Sequence, residues 1–224
     1  MILDGADIID IGGFSSKPGA KTISLKEEEK RVIPIIKLIN KTFNKIIISV
    51  DTFRSEIAEK SLNEGASIIN DISGGDLDKN IYQISYKYKA PYIMMHMNGV
   101  PSNMQNNPKY ENINHDIIKD FTSKIDSAEK KGVCDIIIDP GFGFGKTIQH
   151  NYQILNNLKL YTVLKKPILV GISRKSMIYK LLKTDPSKAL NGTTSLNTIA
   201  LINGANILIC RQKTKMSIFF NYSV

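Results

Sequence analysis

The residues best suited to chemistry lie at the ends of short apolar runs. Asp51, Asn70 and Asp139 each directly follow β-branched residues that end such a run. Carboxylate and amide oxygens accept hydrogen bonds, so this set can bind the donor-rich edge of an amino-substituted heterocycle.

A glycine-rich segment, Asp139–Thr147, is the most unusual stretch of the chain. Its three alternate glycines resemble a nucleotide-binding loop, but the spacing fits neither the Walker pattern nor G-x-G-x-x-G. We expect a loop at a strand end that brings its backbone and Phe144 close to a flat ligand. Phe142 and Phe144 are both expected to be exposed and to need a partner. The alternative is a glycine-rich surface turn.

Two further segments could bind anions. Residues 12–19 offer backbone amides, hydroxyls and a lysine, which suits a phosphate, although such loops are usually only connections. Residues 173–176 place two cations where a strand meets a helix, which favours an anion site. The alternative for the second segment is a capped helix with solvated basic residues.

A divalent metal is the competing interpretation of the acidic residues. The candidate ligands would be the following set: Asp10, Asp51, Asp71, Asp139 and His96. The histidines, at positions 96, 115 and 150, form neither H-x-H nor H-E-x-x-H. A histidine-based metal site is therefore not expected.

The apolar runs themselves predict the fold. Seven of them are short, β-branched and unalternating, which is typical of strands buried on both faces of a parallel sheet. They cover residues 5–10, 45–50, 65–70, 91–95, 132–139, 167–170 and 204–209. Helices are predicted from Ser24, with a capping box to Glu27, through residue 39, and over 55–64, 115–131, 173–182 and 193–203. Polar groups after nearly every strand favour a closed (β/α) barrel over an open sheet.

Composition limits the remaining possibilities. The chain has 224 residues, 42% of them hydrophobic, and a net charge of +9 in which only four of 30 basic residues are arginine. Because the basic residues are dispersed, we expect a solvated lysine surface and not a nucleic-acid site. We also expect one domain over residues 1–224, no membrane segment, a cytoplasmic location, and buried free thiols at Cys134 and Cys210.

Taken together, the motifs resemble the dihydropteroate synthase family of pterin-binding enzymes. The resemblance runs from about Asp4 to Leu208, and residues 209–224 diverge. It is carried by the following segments in order: Asp10–Gly13, Ser49–Thr52, Ile69–Ile72, Met95–Met97, Asp139–Lys146 and Ser173–Ser176.

The resemblance implies a (β/α)₈ TIM barrel and a transferase of folate biosynthesis, a sulfonamide target. The implied reaction joins 6-hydroxymethyl-7,8-dihydropterin pyrophosphate to 4-aminobenzoate, giving 7,8-dihydropteroate and pyrophosphate, with Mg²⁺ as cofactor and a homodimer as partner. Catalytic roles would fall to Asp51, Asp139 and Lys175. Pterin would contact Ser16, Asp51, Asn70, Met95, Asp139 and Lys175. The aminobenzoate and its loop would involve Ser15, Lys17, Pro18, Phe144 and Ser176, and pyrophosphate would contact Ser16 and Arg211.

Departures from the family pattern lead to further expectations. The family's first strand, with the loop N-x-T-P-D-S-F-x-D-G-G and its magnesium-binding Asn, has no counterpart in the printed sequence, so no metal ligand is identified. Ile209 and Arg211 stand where the family has Arg and His, and the last barrel helix is not found. We therefore expect an incomplete barrel of about seven strands. A methyltransferase-type pterin-binding barrel and a truncated, non-catalytic relative are the alternatives; Phe144, Lys175 and Ser176 argue against the former.

Overall fold

The computed structural model describes residues 1–15, 22–99, 104 and 108–210, in which strands and helices alternate along the chain. The strands are β1 (Ile8–Gly12), β2 (Ile47–Asp51), β3 (Ile68–Asp71), β4 (Tyr92–Met95), β5 (Ile136–Asp139), β6 (Leu169–Val170) and β7 (Ile207–Leu208). The α-helices are α1 (Leu25–Thr42), α2 (Ser55–Asn63), α3 (Ile81–Tyr88), α4 (Ile113–Glu129), α5 (Ile148–Asn156), α6 (Ser176–Tyr179) and α7 (Leu190–Ile202). Short 3₁₀ segments cover Ile2–Asp4, Leu158–Leu164 and Pro186–Lys188.

The strands follow one another in chain order around the structure. β1 to β5 form a parallel sheet in that order, and β6 pairs with β7, again in parallel. A bridge between Ile138 and Ile168 joins the two sheets. In the part of the chain that the structure describes, β7 is not paired with β1. The prediction of an α/β barrel that is incomplete, with seven strands, is thus confirmed.

Two apolar layers cover the two faces of the strands. The larger core fills the space between the sheet and the helices, and includes Val50, Ile69 and Ile138 with Ile36 of α1 and Phe121 of α4. A smaller cluster lies inside the barrel and takes residues from six strands: Ile8, Ile68, Ile93, Ile137, Leu169 and Ile207, with Ile209 after β7. Burial on both faces explains why the strands show no alternation of apolar and polar residues.

The helices differ more from expectation than the strands do. Ser24 accepts a hydrogen bond from the Glu27 amide at 3.2 Å, as predicted, but the Glu27 carboxylate binds Arg31 and does not complete the capping box. Helices α3 and α5 were not among the predicted ones. The helix predicted from residue 173 begins at Ser176 and has only four residues.

Two smaller findings concern thiols and membranes. The prediction that both cysteines are buried is wrong for Cys134, which is exposed, and Cys210 is half-buried; both are free. Among the described residues, none of the helices combines the length and the apolar character that crossing a bilayer requires.

Candidate active site

The barrel interior changes from apolar to polar at the carboxyl ends of its strands. Side chains alternate between the two faces of a strand, so a residue two positions beyond an interior isoleucine also faces the interior. Asp10, Asn70, Met95 and Asp139 follow the interior residues Ile8, Ile68, Ile93 and Ile137 in this way. Asp51 joins them because it pairs in register with Asn70. The strands therefore bring these five sequence-predicted positions to one end of the barrel.

Asp10, Asp51 and Asn70 form the acidic side of this site. The Asp10 carboxylate accepts a hydrogen bond from the Asn70 side-chain nitrogen at 3.1 Å. Burial raises the pKa of Asp51 well above its ordinary value, and the negative charges of Asp10, Asp71 and Glu28 add to that rise. Crowded carboxylates repel one another, and a ligand that brings hydrogen-bond donors or positive charge offsets this repulsion. The group therefore suits a ligand rich in donors or one that develops positive charge.

Asp71 does not belong to the site, although it follows Asn70 directly. It lies on the helix-facing side of β3, where its carboxylate accepts hydrogen bonds from the Ser73 amide and hydroxyl, the Gly75 amide and the Tyr92 hydroxyl at 2.6 to 2.8 Å. His96, another candidate metal ligand, has its Nδ1 3.0 Å from the Lys146 ammonium. The described residues contain no group of three or more histidine, cysteine or acidic side chains that could hold a metal ion. The interpretation of these residues as one metal site is therefore wrong.

Asp139 and Lys175 form the opposite side of the mouth. Asp139 is buried, with 8% of its surface exposed, and accepts a hydrogen bond from the Gly141 amide at 2.8 Å. Burial raises the pKa of Asp139, and the charges of Lys175 and Lys146 partly offset that rise. Lys175 is the residue before α6, and burial lowers its pKa to about 8 while Asp139 acts in the other direction. The two groups thus stabilise each other's charged forms.

An apolar wall stands beside these charges. Met95 packs in a cluster with Ile72, Met97 and Met104, and the half-buried rings of Phe53 and Phe144 pack against it. The Lys175 ammonium lies 4.8 Å from the centroid of the Phe144 ring and donates a hydrogen bond to the Phe142 carbonyl. A flat ring could lie against this wall with its polar edge toward the carboxylates.

The expectation that Phe142 is exposed is wrong. Phe142 is completely buried in the larger core, so it anchors the glycine-rich loop, and only Phe144 remains at the mouth. The sequence alone does not distinguish the two rings, because both follow a glycine in the same loop.

A buried lysine fixes the glycine-rich loop to the segment after β4. Lys146 donates hydrogen bonds to the carbonyls of Phe144 and His96 at 2.9 and 3.2 Å. A Cβ atom at Gly141 would collide with the His96 carbonyl oxygen, so glycine is required for the two segments to touch. Burial lowers the pKa of Lys146 to about 7. Sequence reasoning included Lys146 in its motif but gave it no role.

Other predicted site residues are less defined. Ser176 is half-buried at the first position of α6, and Ser15 is exposed after β1. Ser16, Lys17, Pro18 and Arg211 lie outside the described residues. A separate groove of about 780 Å³ runs over the outer surface between the start of α4 and α5, lined by residues such as Tyr110 and His150. None of the predicted site residues lines it, so the barrel mouth is the better candidate.

The fold and the mouth of the barrel together define the class of protein. Residues 1–211 match the family model described as pterin binding enzyme, and the chain belongs to that family. The names of similar proteins specify one enzyme within this family. The dihydropteroate synthase of Synechocystis sp. is 43% identical over 211 residues, which cover 93% of this chain and 73% of the relative.

Solved structures agree with this relationship. The dihydropteroate synthase of Yersinia pestis with a sulfonamide drug complex superposes with a TM-score of 0.92 at 36% identity, over 96% of this chain and 78% of that one. The Xanthomonas albilineans enzyme with 4-aminobenzoic acid gives 0.88 at 32% identity, over 94% and 76%. These relatives confirm the prediction of a dihydropteroate synthase-type transferase of folate biosynthesis on a TIM-barrel fold. They favour it over the methyltransferase alternative.

Proposed function

We propose that the barrel mouth binds 6-hydroxymethyl-7,8-dihydropterin pyrophosphate and 4-aminobenzoate and joins them into 7,8-dihydropteroate. The observation that carries the proposal is the meeting of Asp51, Asn70, Asp139 and Lys175 at one end of the barrel, beside the wall formed by Met95. This combination offers acceptors, a cation and an apolar face to one flat heterocycle.

The pterin would be held by its donor-rich edge. Asp51 and Asn70 are paired in register on neighbouring strands, and Asp139 pairs in register with Met95. Carboxylate and amide groups on one side of the mouth can accept from the ring nitrogens and the exocyclic amine. Met95 would pack on the ring face, and Lys175 would donate to its remaining acceptors.

Catalysis would come from charge placement, without a covalent intermediate. The bond from the pterin methylene carbon to pyrophosphate breaks as the amine nitrogen of aminobenzoate attacks, and the pterin ring carries part of the positive charge that develops. Pyrophosphate leaves, and the newly bonded nitrogen loses one proton to water. Buried carboxylates stabilise such charge more strongly than water does, because the local dielectric is low and they need not reorganise. Asp51 and Asp139 would supply this effect, and Lys175 would orient the ring.

The aryl amine would approach from the side of the glycine-rich loop. Phe144 offers its ring face beside the Lys175 ammonium, and Ser176 lies next in the chain. The resemblance adds Ser15, Lys17 and Pro18 to this side, and Ser16 and Arg211 to the pyrophosphate. Magnesium is the family's expected cofactor, but the described residues do not form a group of metal ligands.

A turnover assay of the purified 224-residue chain tests the proposal. Pyrophosphate release should depend on both substrates and should be lost in Lys175→Met, whereas Lys180→Met, with an exposed lysine just after α6, should behave as the unchanged chain. Calorimetry with 6-hydroxymethylpterin separates binding from chemistry. Pterin binding without turnover would support the truncated, non-catalytic alternative, and no pterin binding would refute the proposal.

A homodimer in the cytoplasm completes the proposal. Large apolar side chains are exposed around α5 to α7: Leu160, Val163, Leu181, Leu182, Ile199 and Ile202. A second copy would remove this surface from water, which is favourable. Free thiols at both cysteines suit a reducing compartment. Light scattering during gel filtration would test the dimer, and a monomer at micromolar concentration would contradict it.

A further inference from the structure

Asp10 contacts the proposed pterin site through Asn70. The two residues are 60 positions apart in sequence and lie on β1 and β3, with β2 between them. The carboxylate oxygen Oδ2 of Asp10 is 3.1 Å from Nδ2 of Asn70. Asn70 itself is 7% exposed and belongs to the barrel interior.

The chemistry of the pair determines how the Asn70 amide is turned. An ionised carboxylate only accepts hydrogen bonds, so the amide must present its nitrogen to Asp10. The Asn70 carbonyl oxygen and its second N–H then remain for a ligand, in a fixed order. An asparagine without such a neighbour can rotate its amide by half a turn and reverse that order.

Other groups around Asp10 bear on its charge. Burial raises the pKa of Asp10, while the neighbouring Ser49 hydroxyl and the Asn70 amide lower it. The Asp10 charge in turn raises the pKa of Asp51 and of Asp139. The Asp10 carboxyl is crowded by these neighbours, but the residue as a whole is exposed at the barrel mouth, and its contact with water favours the ionised form.

We propose that Asp10 is a positioning residue that fixes the Asn70 amide and thereby makes the site select a 2-aminopterin over its 2-oxo analogue. The inference rests on the proposed function, since it takes the pterin as the ligand of Asn70. At neighbouring positions a pterin offers an acceptor ring nitrogen and a donor amine, whereas a lumazine offers a donor ring nitrogen and an acceptor oxygen. A fixed amide matches one of these patterns and opposes the other.

The experiment compares two ligands on three forms of the chain. Calorimetry would give the affinities of 6-hydroxymethylpterin and 6-hydroxymethyllumazine for the unchanged chain, for Asp10→Asn, and for the control Asp7→Asn. Asp7 is an exposed acid just before β1, so its variant loses the same charge away from the mouth. We expect Asp10→Asn to bind the pterin about tenfold more weakly, and its preference for pterin over lumazine to fall by at least about tenfold. Asp7→Asn should change neither value.

A second measurement does not depend on the ligand. In spectra of the free protein, one side-chain amide proton of Asn70 should be shifted downfield by the charged acceptor, and the shift should disappear in Asp10→Asn and Asp10→Ala. Thermal melts would confirm that these variants are folded, and Asp10→Ala serves for the binding comparison if Asp10→Asn is not.

The outcomes separate the two proposals. If the unchanged chain binds neither ligand, the proposed function fails and this inference fails with it. If it binds the pterin tightly and folded Asp10 variants keep both the affinity and the preference, only the positioning role is overturned. A turnover assay adds a third criterion, because KM for the pterin substrate should rise in Asp10→Asn while KM for 4-aminobenzoate stays constant.

Discussion

Replacing Asp139 by asparagine tests the centre of the proposed site. The carboxylate accepts a hydrogen bond from the Gly141 amide at 2.8 Å, and the asparagine oxygen can keep that bond. Its NH₂ group then points into the mouth, where the pterin's donors would lie. The variant loses a charge-assisted hydrogen bond, which contributes about 1.5–3 kcal/mol. That loss corresponds to a Kd for 6-hydroxymethylpterin about 10- to 150-fold higher.

The same change should also alter the pH dependence of turnover. In the unchanged chain the pKa of Lys175 is about 8, lowered by burial and held up by Asp139. If the protonated lysine is the active form, kcat/KM falls as the pH rises through that value. Without the Asp139 charge, the pKa of Lys175 falls further, so the decline should begin at lower pH in Asp139→Asn.

Calorimetry with 6-hydroxymethylpterin and pyrophosphate release between pH 6 and 9 measure both effects. Asp135→Asn is the matched control, because Asp135 is an exposed acid just before the start of the same strand. Thermal melts should show that Asp139→Asn folds normally. An unchanged Kd together with an unchanged pH profile would show that Asp139 neither binds the pterin nor supports Lys175.

Three further predictions concern stability and loop position. Lys146 has a pKa of about 7 in the folded chain and an ordinary pKa of 10.5 in the unfolded chain. Between these values the unfolded chain binds more protons, so the free energy of unfolding rises with pH, by about 1.4 kcal/mol per pH unit for this group. Urea unfolding at pH 7 and 9 should show the rise, and a rise of the same size in Lys146→Met would contradict the assignment. Asp71→Asn should lower the free energy of unfolding by about 1–3 kcal/mol, because four donors lose a charged acceptor. The same variant should leave the Kd for 6-hydroxymethylpterin unchanged, and weaker binding with normal stability would place Asp71 in the site. Gly141→Ala should raise KM for 4-aminobenzoate and lower the melting temperature, since the new Cβ would collide with the His96 carbonyl and displace Phe144. Normal values for both would refute the close packing of the glycine-rich loop against the segment after β4.

Local sequence was sufficient to predict the strands. A run such as residues 132–139, with a glycine at its start and an acid at its end, can satisfy its backbone hydrogen bonds and bury both faces in a parallel sheet and in few other structures. Each of the seven runs overlaps a described strand. Helix α3 was missed because it is a short segment in which apolar and polar residues are mixed. Its position follows from packing against α2 and from the contact of Tyr82 with Tyr92 of β4. The helix predicted over residues 173–182 begins later and is shorter than expected, because its motif contains no signal for where the turn after β6 ends and the helix begins.

The site divides in the same way. The sequence alone predicts that four site residues occupy the ends of strands or the turns after them: Asp51, Asn70, Asp139 and Lys175. Because parallel strands share one direction, those ends lie together. Which neighbour of a strand end faces the interior depends on register: Asn70 enters the mouth, while the adjacent acid supports a turn on the helix side. The contact between Asp10 and Asn70 joins residues 60 positions apart, and only the pairing of three strands creates it. Residue type and spacing thus determined the strands and the chemical character of the site, whereas tertiary structure decided which of those groups touch, because side-chain contacts depend on strand order and register, which no local pattern encodes.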